Sequence, residues 1–314
     1  MRMPVDASHQ AQAIGVLLMA HGSPDSLDEV ASFLQRVRGG RPTPPTLVEE
    51  MREHYRLIGG RSPLLDLTQA QARGLEERLH AEGGWFRPYV GMRNWHPFIK
   101  DTVKQMAADG IRRVVAVCLA PQYSRFSVGA YQQALEAAQT ELGVRLDVTN
   151  VGSWHDHPLL LQAFAERVQE ALAQLLVDAR AQVRVIFTAH SLPERALKEG
   201  DPYPREVVQT AAGVAGLVGL SAWDFGYQSH GATAEPWLGP TLEQLLERCE
   251  AQGQRQILLV PIGFVCDHME ILYDIDIVAQ RMAKEKGLTL MRTASLNTSP
   301  RFIDALADVV RRTL

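Results

Sequence analysis

The chain has 314 residues, 46% of them hydrophobic, and a formal net charge of -4 from 32 basic and 36 acidic side chains. That is enough apolar material for one large or two similar α/β domains, and without a long basic run it excludes an electrostatic nucleic-acid footprint. The first residues, MRMPVDASHQAQ, are polar, and the apolar run behind them is far shorter than the roughly 18 residues that cross a bilayer, so neither export nor a membrane span is expected.

In chain order, β-branched apolar runs predict strands near 14–20, 86–91, 113–119, 145–151, 183–189, 223–228, 257–262 and 287–293. Amphipathic patterns between them predict helices, among them 65–82, 97–109, 127–142, 158–178, 241–252 and 299–312. This alternation specifies parallel βαβ units with right-handed crossovers. One pairing recurs: IGVLLM ends in Ala20-His21, and VRVIFT ends in Ala189-His190. Each is followed further on by a strand and a long loop, LAPQYSRFSVGAY in the first half and VPIGFVCDHMEILYD in the second. The expectation is α/β with two similar, Rossmann-like, doubly wound halves, 1–152 and 153–314, each with a parallel four-stranded sheet. The last helix is free to pack back on the first half. Ligands of such folds bind at the carboxyl ends of the strands.

Three cysteines, Cys118, Cys249 and Cys266, are too widely spaced for a CxxC site or a disulfide framework, so a cytoplasmic location is expected. The strongest chemical pairing is His190, at a strand end, with Glu270, at the start of a helix after the strand QILLVPI. An imidazole facing a carboxylate can share a proton or bind a divalent cation such as ferrous iron. The alternative is a strand-end histidine bonded to a neighbouring loop and a carboxylate on a solvated first helical turn.

The segments FTAHSLPE, PIGFVCDHMEILYD, HYRLIGGRSPL, LAPQYSRFSVGAY, GDPYP and PWLGP together closely resemble ferrochelatases, in order and spacing, over nearly the whole chain. With no C-terminal extension and no cysteine quartet, the chain looks like the bacterial coproporphyrin ferrochelatase branch; three scattered cysteines could not ligate a two-iron two-sulfur cluster. The resemblance implies a chelatase-like fold with a porphyrin cleft between the two domains. It implies insertion of ferrous iron into coproporphyrin III in haem b biosynthesis, with release of two protons. Iron is then a substrate, and no tightly bound cofactor is implied. By position it makes His190 and Glu270 the metal-binding, proton-accepting pair. It places Arg38, His54, Tyr55, Ser62 and Tyr131 at the porphyrin and its propionates, with Trp237 walling the pocket. Taken singly, Arg38 reads as a solvated helix-end arginine, Tyr55 as a packing aromatic and Ser62 as a turn residue. A monomer is expected, with transient contacts to the preceding and following haem-pathway enzymes.

Three departures from the family pattern stand out. His21 replaces a tyrosine common in that branch and would be a neutral, softer axial ligand for product iron. It otherwise reads as a surface histidine, and the run Ala-His-Gly-Ser is similar to small cobalt and sirohydrochlorin chelatases. Asp274 lies one turn beyond Glu270 and shares its face, but Val278 stands where a further carboxylate is frequent, and Asp276 is expected to point elsewhere. His54 replaces an arginine and Asn94 a histidine; His54 is only partly charged near pH 7, and Arg61 is expected to compensate. The competing readings are iron insertion into protoporphyrin IX, cobalt insertion into a corrin precursor, and a porphyrin or haem carrier without activity.

Overall fold

The computed structural model describes residues 13–81, 83, 85–176, 180, 182–229 and 235–314. The polar first twelve residues and the end of the helix expected over 158–178 lie outside them. The chain forms two compact units. One takes the chain up to Ala120 with Arg125–Trp154 and Phe302–Leu314, and the other takes Pro121–Ser124 and His155–Arg301.

In the first unit, β1 (Ile14–Ala20), β2 (Phe86–Met92), β3 (Arg113–Cys118) and β4 (Asp147–Asn150) form a parallel sheet in the order β2-β1-β3-β4. The connecting helices are α1 (Val30–Val37), α2 (Pro45–Leu57), α3 (Leu64–His80), α4 (Ile99–Ala108) and α5 (Val128–Leu142). Val16, Leu17 and Leu18 of β1 and Val115, Ala116 and Val117 of β3 have no exposed surface. Parallel strands covered by helices on both faces need such continuous apolar runs.

The second unit repeats the order with β5 (Arg184–His190), β6 (Trp223–Gln228), β7 (Gln256–Pro261) and β8 (Thr289–Arg292), as β6-β5-β7-β8, all parallel. Its helices include α6 (Pro158–Ala173), α7 (Tyr203–Val218) and α8 (Leu242–Ala251). The start of α8 carries a reciprocal cap: Gln244 N–H donates to the Thr241 hydroxyl, and the Gln244 side chain accepts from the Thr241 N–H.

Two features depart from the simple pattern. The segment after β7 is a π-helix, Ile271–Ala279, running directly into α9 (Gln280–Glu285). Its buried line, Ile271, Ile275 and Ala279, packs into a cluster with Ile186, Leu246 and Leu259. Burial of Ile271 and of Ile275 contributes about 1.5–3 kcal/mol each, so tertiary packing holds a wide turn that is rarely stable by itself. The second feature is the last helix, α10 (Pro300–Arg312), which from Phe302 onward belongs to the first unit. There Phe302 stacks on Trp154, and Asp304 pairs with Arg78 at 2.5 Å.

Candidate functional site

In each sheet the switch point, where chain connections leave to opposite sides, falls between the two central strands, and ligands of open α/β sheets bind outside the strand ends there. In the second unit those strands are β5 and β7. His190 is the last residue of β5, and its carbonyl accepts a hydrogen bond from the buried Tyr203 hydroxyl at 2.9 Å. After β7, Ile262 N–H donates to Thr188 O at 2.9 Å, and the following loop delivers Glu270 to the head of the π-helix. His190 Nδ1 and Glu270 Oε2 are 2.9 Å apart, and both side chains keep about a third of their surface open (32% and 30%).

Burial pulls the His190 imidazole toward a lower pKa, but the Glu270 charge, the hydrogen bond to Glu270 and the Asp274 charge outweigh it, and the net shift is upward. With Nδ1–H donating to the carboxylate, Nε2 presents the lone pair, and the carboxylate makes it more basic. The neighbouring His268 goes the other way: burial lowers its pKa more than the Glu270 charge and the Cys266 backbone raise it. Phe264 lies against both rings, 6.5 Å from His190 and 4.3 Å from His268. Sequence alone assigns no role to these neighbours, although Tyr203 stands in the GDPYP run and Phe264 and His268 in PIGFVCDHMEILYD.

An upward shift places the stabilisation from the pair at pH below the ordinary value of 6.5, to be lost as pH rises through the folded-state value. An NMR titration of His190 is therefore expected to have its midpoint above 6.5. Glu270→Gln should move that midpoint down, since burial stays and the countercharge goes. A wild-type midpoint below 6.5 would mean that burial wins.

Beyond Glu270, the half-buried residues Asp274 and Val278 follow at intervals of four, alongside the buried line 271/275/279. Asp274 accepts a hydrogen bond from the Ser229 hydroxyl. Asp276 points to Arg292 instead, at 2.6 and 2.8 Å. Among the described residues no group of three or more His, Cys, Asp or Glu is placed to hold a metal ion. His190 and Glu270 stand together as two donors, which by themselves leave most coordination positions of a divalent cation open. The three cysteines are buried, and burial pushes the thiols of Cys118 and Cys266 up to about 12.

A sequence model described as ferrochelatase matches residues 13–314. The chain belongs to the ferrochelatase family. It is 47% identical to the ferrochelatase of Herpetosiphon aurantiacus, over 94% of this chain and 97% of that one. It is 39% identical to the coproporphyrin III ferrochelatase of Geobacillus thermodenitrificans, over 96% of each chain. Among solved structures, the cobalt complex of the sirohydrochlorin chelatase from Bacillus subtilis subspecies spizizenii shares the fold (TM-score 0.58, 96% and 95% of the two chains) at only 12% identity.

Apart from Trp237, the remaining positions that the ferrochelatase resemblance singled out lie in the first unit. His21 is exposed at the end of β1, at that unit's own switch point, with Nδ1 3.0 Å from Gly22 O and its ring edge-on to Phe33. Gly22 has φ +86, and a Cβ there would lie 2.8 Å from Trp95 N, so only glycine lets the 93–95 turn close over this loop. Asn94 is buried in that turn, its N–H donating to His21 O. Arg38 caps α1 with its Nε buried and, among the described residues, without a hydrogen-bond partner. Burial lowers the pKa of His54 more than Glu50 and Glu53 raise it, which favours the neutral ring. Tyr55, Ser62 and Tyr131 are buried; Ser62 Oγ accepts from Leu64 N–H, and Arg93 lies over the Tyr131 ring. Arg61 pairs with Asp66 at 2.7 Å, both more than half exposed, an ion pair worth little in water. Trp237, in the second unit, is half-buried and bridges to Pro193.

Proposed function

We propose that this ferrochelatase inserts ferrous iron into coproporphyrin III, releasing the two pyrrole protons, with His190 and Glu270 as the ion-binding and proton-accepting pair. The observation that carries the reading is their 2.9 Å contact, part-open at the switch point of the second unit. The ring's two N–H protons must leave as the cation arrives. On this reading the ion rests first on the Nε2 lone pair and the Glu270 carboxylate; as it passes to the ring, the freed Nε2 takes one pyrrole proton and the carboxylate the other, and both are then released to water. Iron is a substrate in this reading, so no resident cofactor is needed. Coproporphyrin as substrate is supported by relatives of 36–40% identity that carry that name. A tetracarboxylate also suits Arg38, whose buried Nε has no hydrogen-bond partner among the described residues, since a guanidinium binds carboxylate with charge-assisted bonds. His21 is the proposed axial ligand of the iron product. Among the described residues no helix is long and apolar enough to cross a membrane, in keeping with action in the cytoplasm.

The test is an anaerobic assay of the purified chain with ferrous, cobalt and zinc ions against coproporphyrin III and protoporphyrin IX. The expected result is loss of the four-banded free-base spectrum with coproporphyrin and ferrous iron. Metalation of protoporphyrin alone would overturn the substrate, and metalation of neither would overturn the reaction.

A further inference from the structure

Glu270 sits at the head of a π-helix, and a helix with an extra residue in each turn holds its side chains on a line only while something fixes its register. Packing fixes one side. On the other, Arg292 at the end of β8 reaches back with only 16% of its side chain exposed. Its Nε and Nη2 grip Asp276, within the π-helix, at 2.6 and 2.8 Å. The same Nη2 lies 3.2 Å from Asp267, in the loop before Glu270. Nη1 donates to Thr293 O. The guanidinium therefore holds both ends of the segment that carries Glu270 and Asp274.

The loop end is itself tied down. Asp267 accepts from Ser295 Oγ at 2.7 Å and from Asn297 Nδ2 at 2.9 Å, and its N–H donates to Asn297 Oδ1. Asn297 makes this possible with φ 46, a left-handed conformation that asparagine tolerates better than most residues. A planar fork that binds one carboxylate with two parallel bonds while touching a second is a task for arginine, since lysine is a flexible point charge.

We infer that Arg292 is a positioning residue for the ion site: by clamping Asp267 and Asp276 it sets where the Glu270 and Asp274 carboxylates stand relative to His190. The inference rests on the reading of Glu270 as an ion donor. It assigns the run Arg-Thr-Ala-Ser-Leu-Asn at 292–297 a part in the reaction without touching the substrate.

The test compares Asp276→Ala, Arg292→Lys and Glu270→Gln in the full chain. The measurements are iron and coproporphyrin kinetics and amide hydrogen exchange over 271–279. Misplaced reacting groups cost rate steeply, so each clamp variant should lose about tenfold or more in kcat/KM for ferrous iron while the porphyrin KM stays within about twofold. The 271–279 amides should exchange faster while those of β5 and β7 do not. Asp276→Ala leaves Arg292 paired with Asp267, and it decides the matter if Arg292→Lys fails to fold. Wild-type iron kinetics in the clamp variants, with Glu270→Gln inactive, overturns the inference alone. Normal metalation by Glu270→Gln overturns the reading of Glu270 and the inference with it.

Discussion

Glu270→Gln is expected to cut iron insertion by roughly 100- to 10,000-fold, the usual span for loss of a positioned acid–base group, while porphyrin binding persists. Glutamine matches the carboxylate in size and can still accept a hydrogen bond from His190 Nδ1 across the 2.9 Å contact. What disappears is the charge, and with it two contributions. The carboxylate raises the His190 pKa against burial, so its loss leaves His190 a weaker base for the proton transfer proposed above. It also neutralises part of the charge of an approaching dication. His190→Ala removes the other donor and should be at least as severe. A carrier would bind porphyrin without turnover in the wild type as well, so it is the loss of an existing wild-type turnover, with binding kept, that marks Glu270 as part of the reaction. Unchanged single-turnover metalation in Glu270→Gln would defeat the assignment.

The pair was legible in the sequence because both members follow central strands. The runs VRVIFT and QILLVP are continuous and apolar, so their place inside a sheet follows from composition, and the residues at their ends follow from topology. The strand positions over 14–20 and 223–228 recur in the structure, and those over 145–151 and 287–293 shorten to Asp147–Asn150 and Thr289–Arg292, where parallel pairing ends. Helices α2 and α7 are harder to read. Along α2 only Val48 and Tyr55 are buried, which leaves little apolar stripe, and α7 opens on Tyr-Pro and runs through Ala-Ala-Gly-Val-Ala-Gly.

The π-helix was not legible. Ile271, Ile275 and Ala279 recur every four residues as in an ordinary amphipathic helix, and the extra residue per turn has no compositional mark. Its partner Arg292 lies 16 residues past Asp276, at the end of β8, so the clamp exists only once that strand has joined the sheet. In the first unit the sequence gives residue types without depth. Tyr55, Ser62 and Tyr131 carry hydroxyls that suit a carboxylate, and only the folded chain shows them buried. Position along a strand predicts direction, whereas burial of a helix or turn residue depends on what packs over it.

Gly263→Ala should damage both stability and activity, although it adds a single methyl group. A Cβ at Gly263 would lie 2.8 Å from Ala189 Cβ, 3.0 Å from Ala189 Cα and 3.5 Å from His190 N. Ala189 is fully buried inside β5, between β6 and β7, so neither neighbour can swing aside as a flexible side chain would. Overpacking of this kind costs about 1–3 kcal/mol. The strain is relieved by moving the end of β5 away from the loop after β7, which separates His190 from Glu270, and a displacement near 1 Å can cost about 100-fold in rate. Gly216→Ala is the matched control. It lies in α7 with, among the described residues, nothing within 4 Å of its Cβ position, and there alanine should stabilise by about 0.5–1 kcal/mol with normal turnover. Denaturant midpoints and iron kinetics on the two variants read both effects. A wild-type midpoint and wild-type rate in Gly263→Ala would show that the two strand ends are not held as closely as their 2.9 Å contact requires.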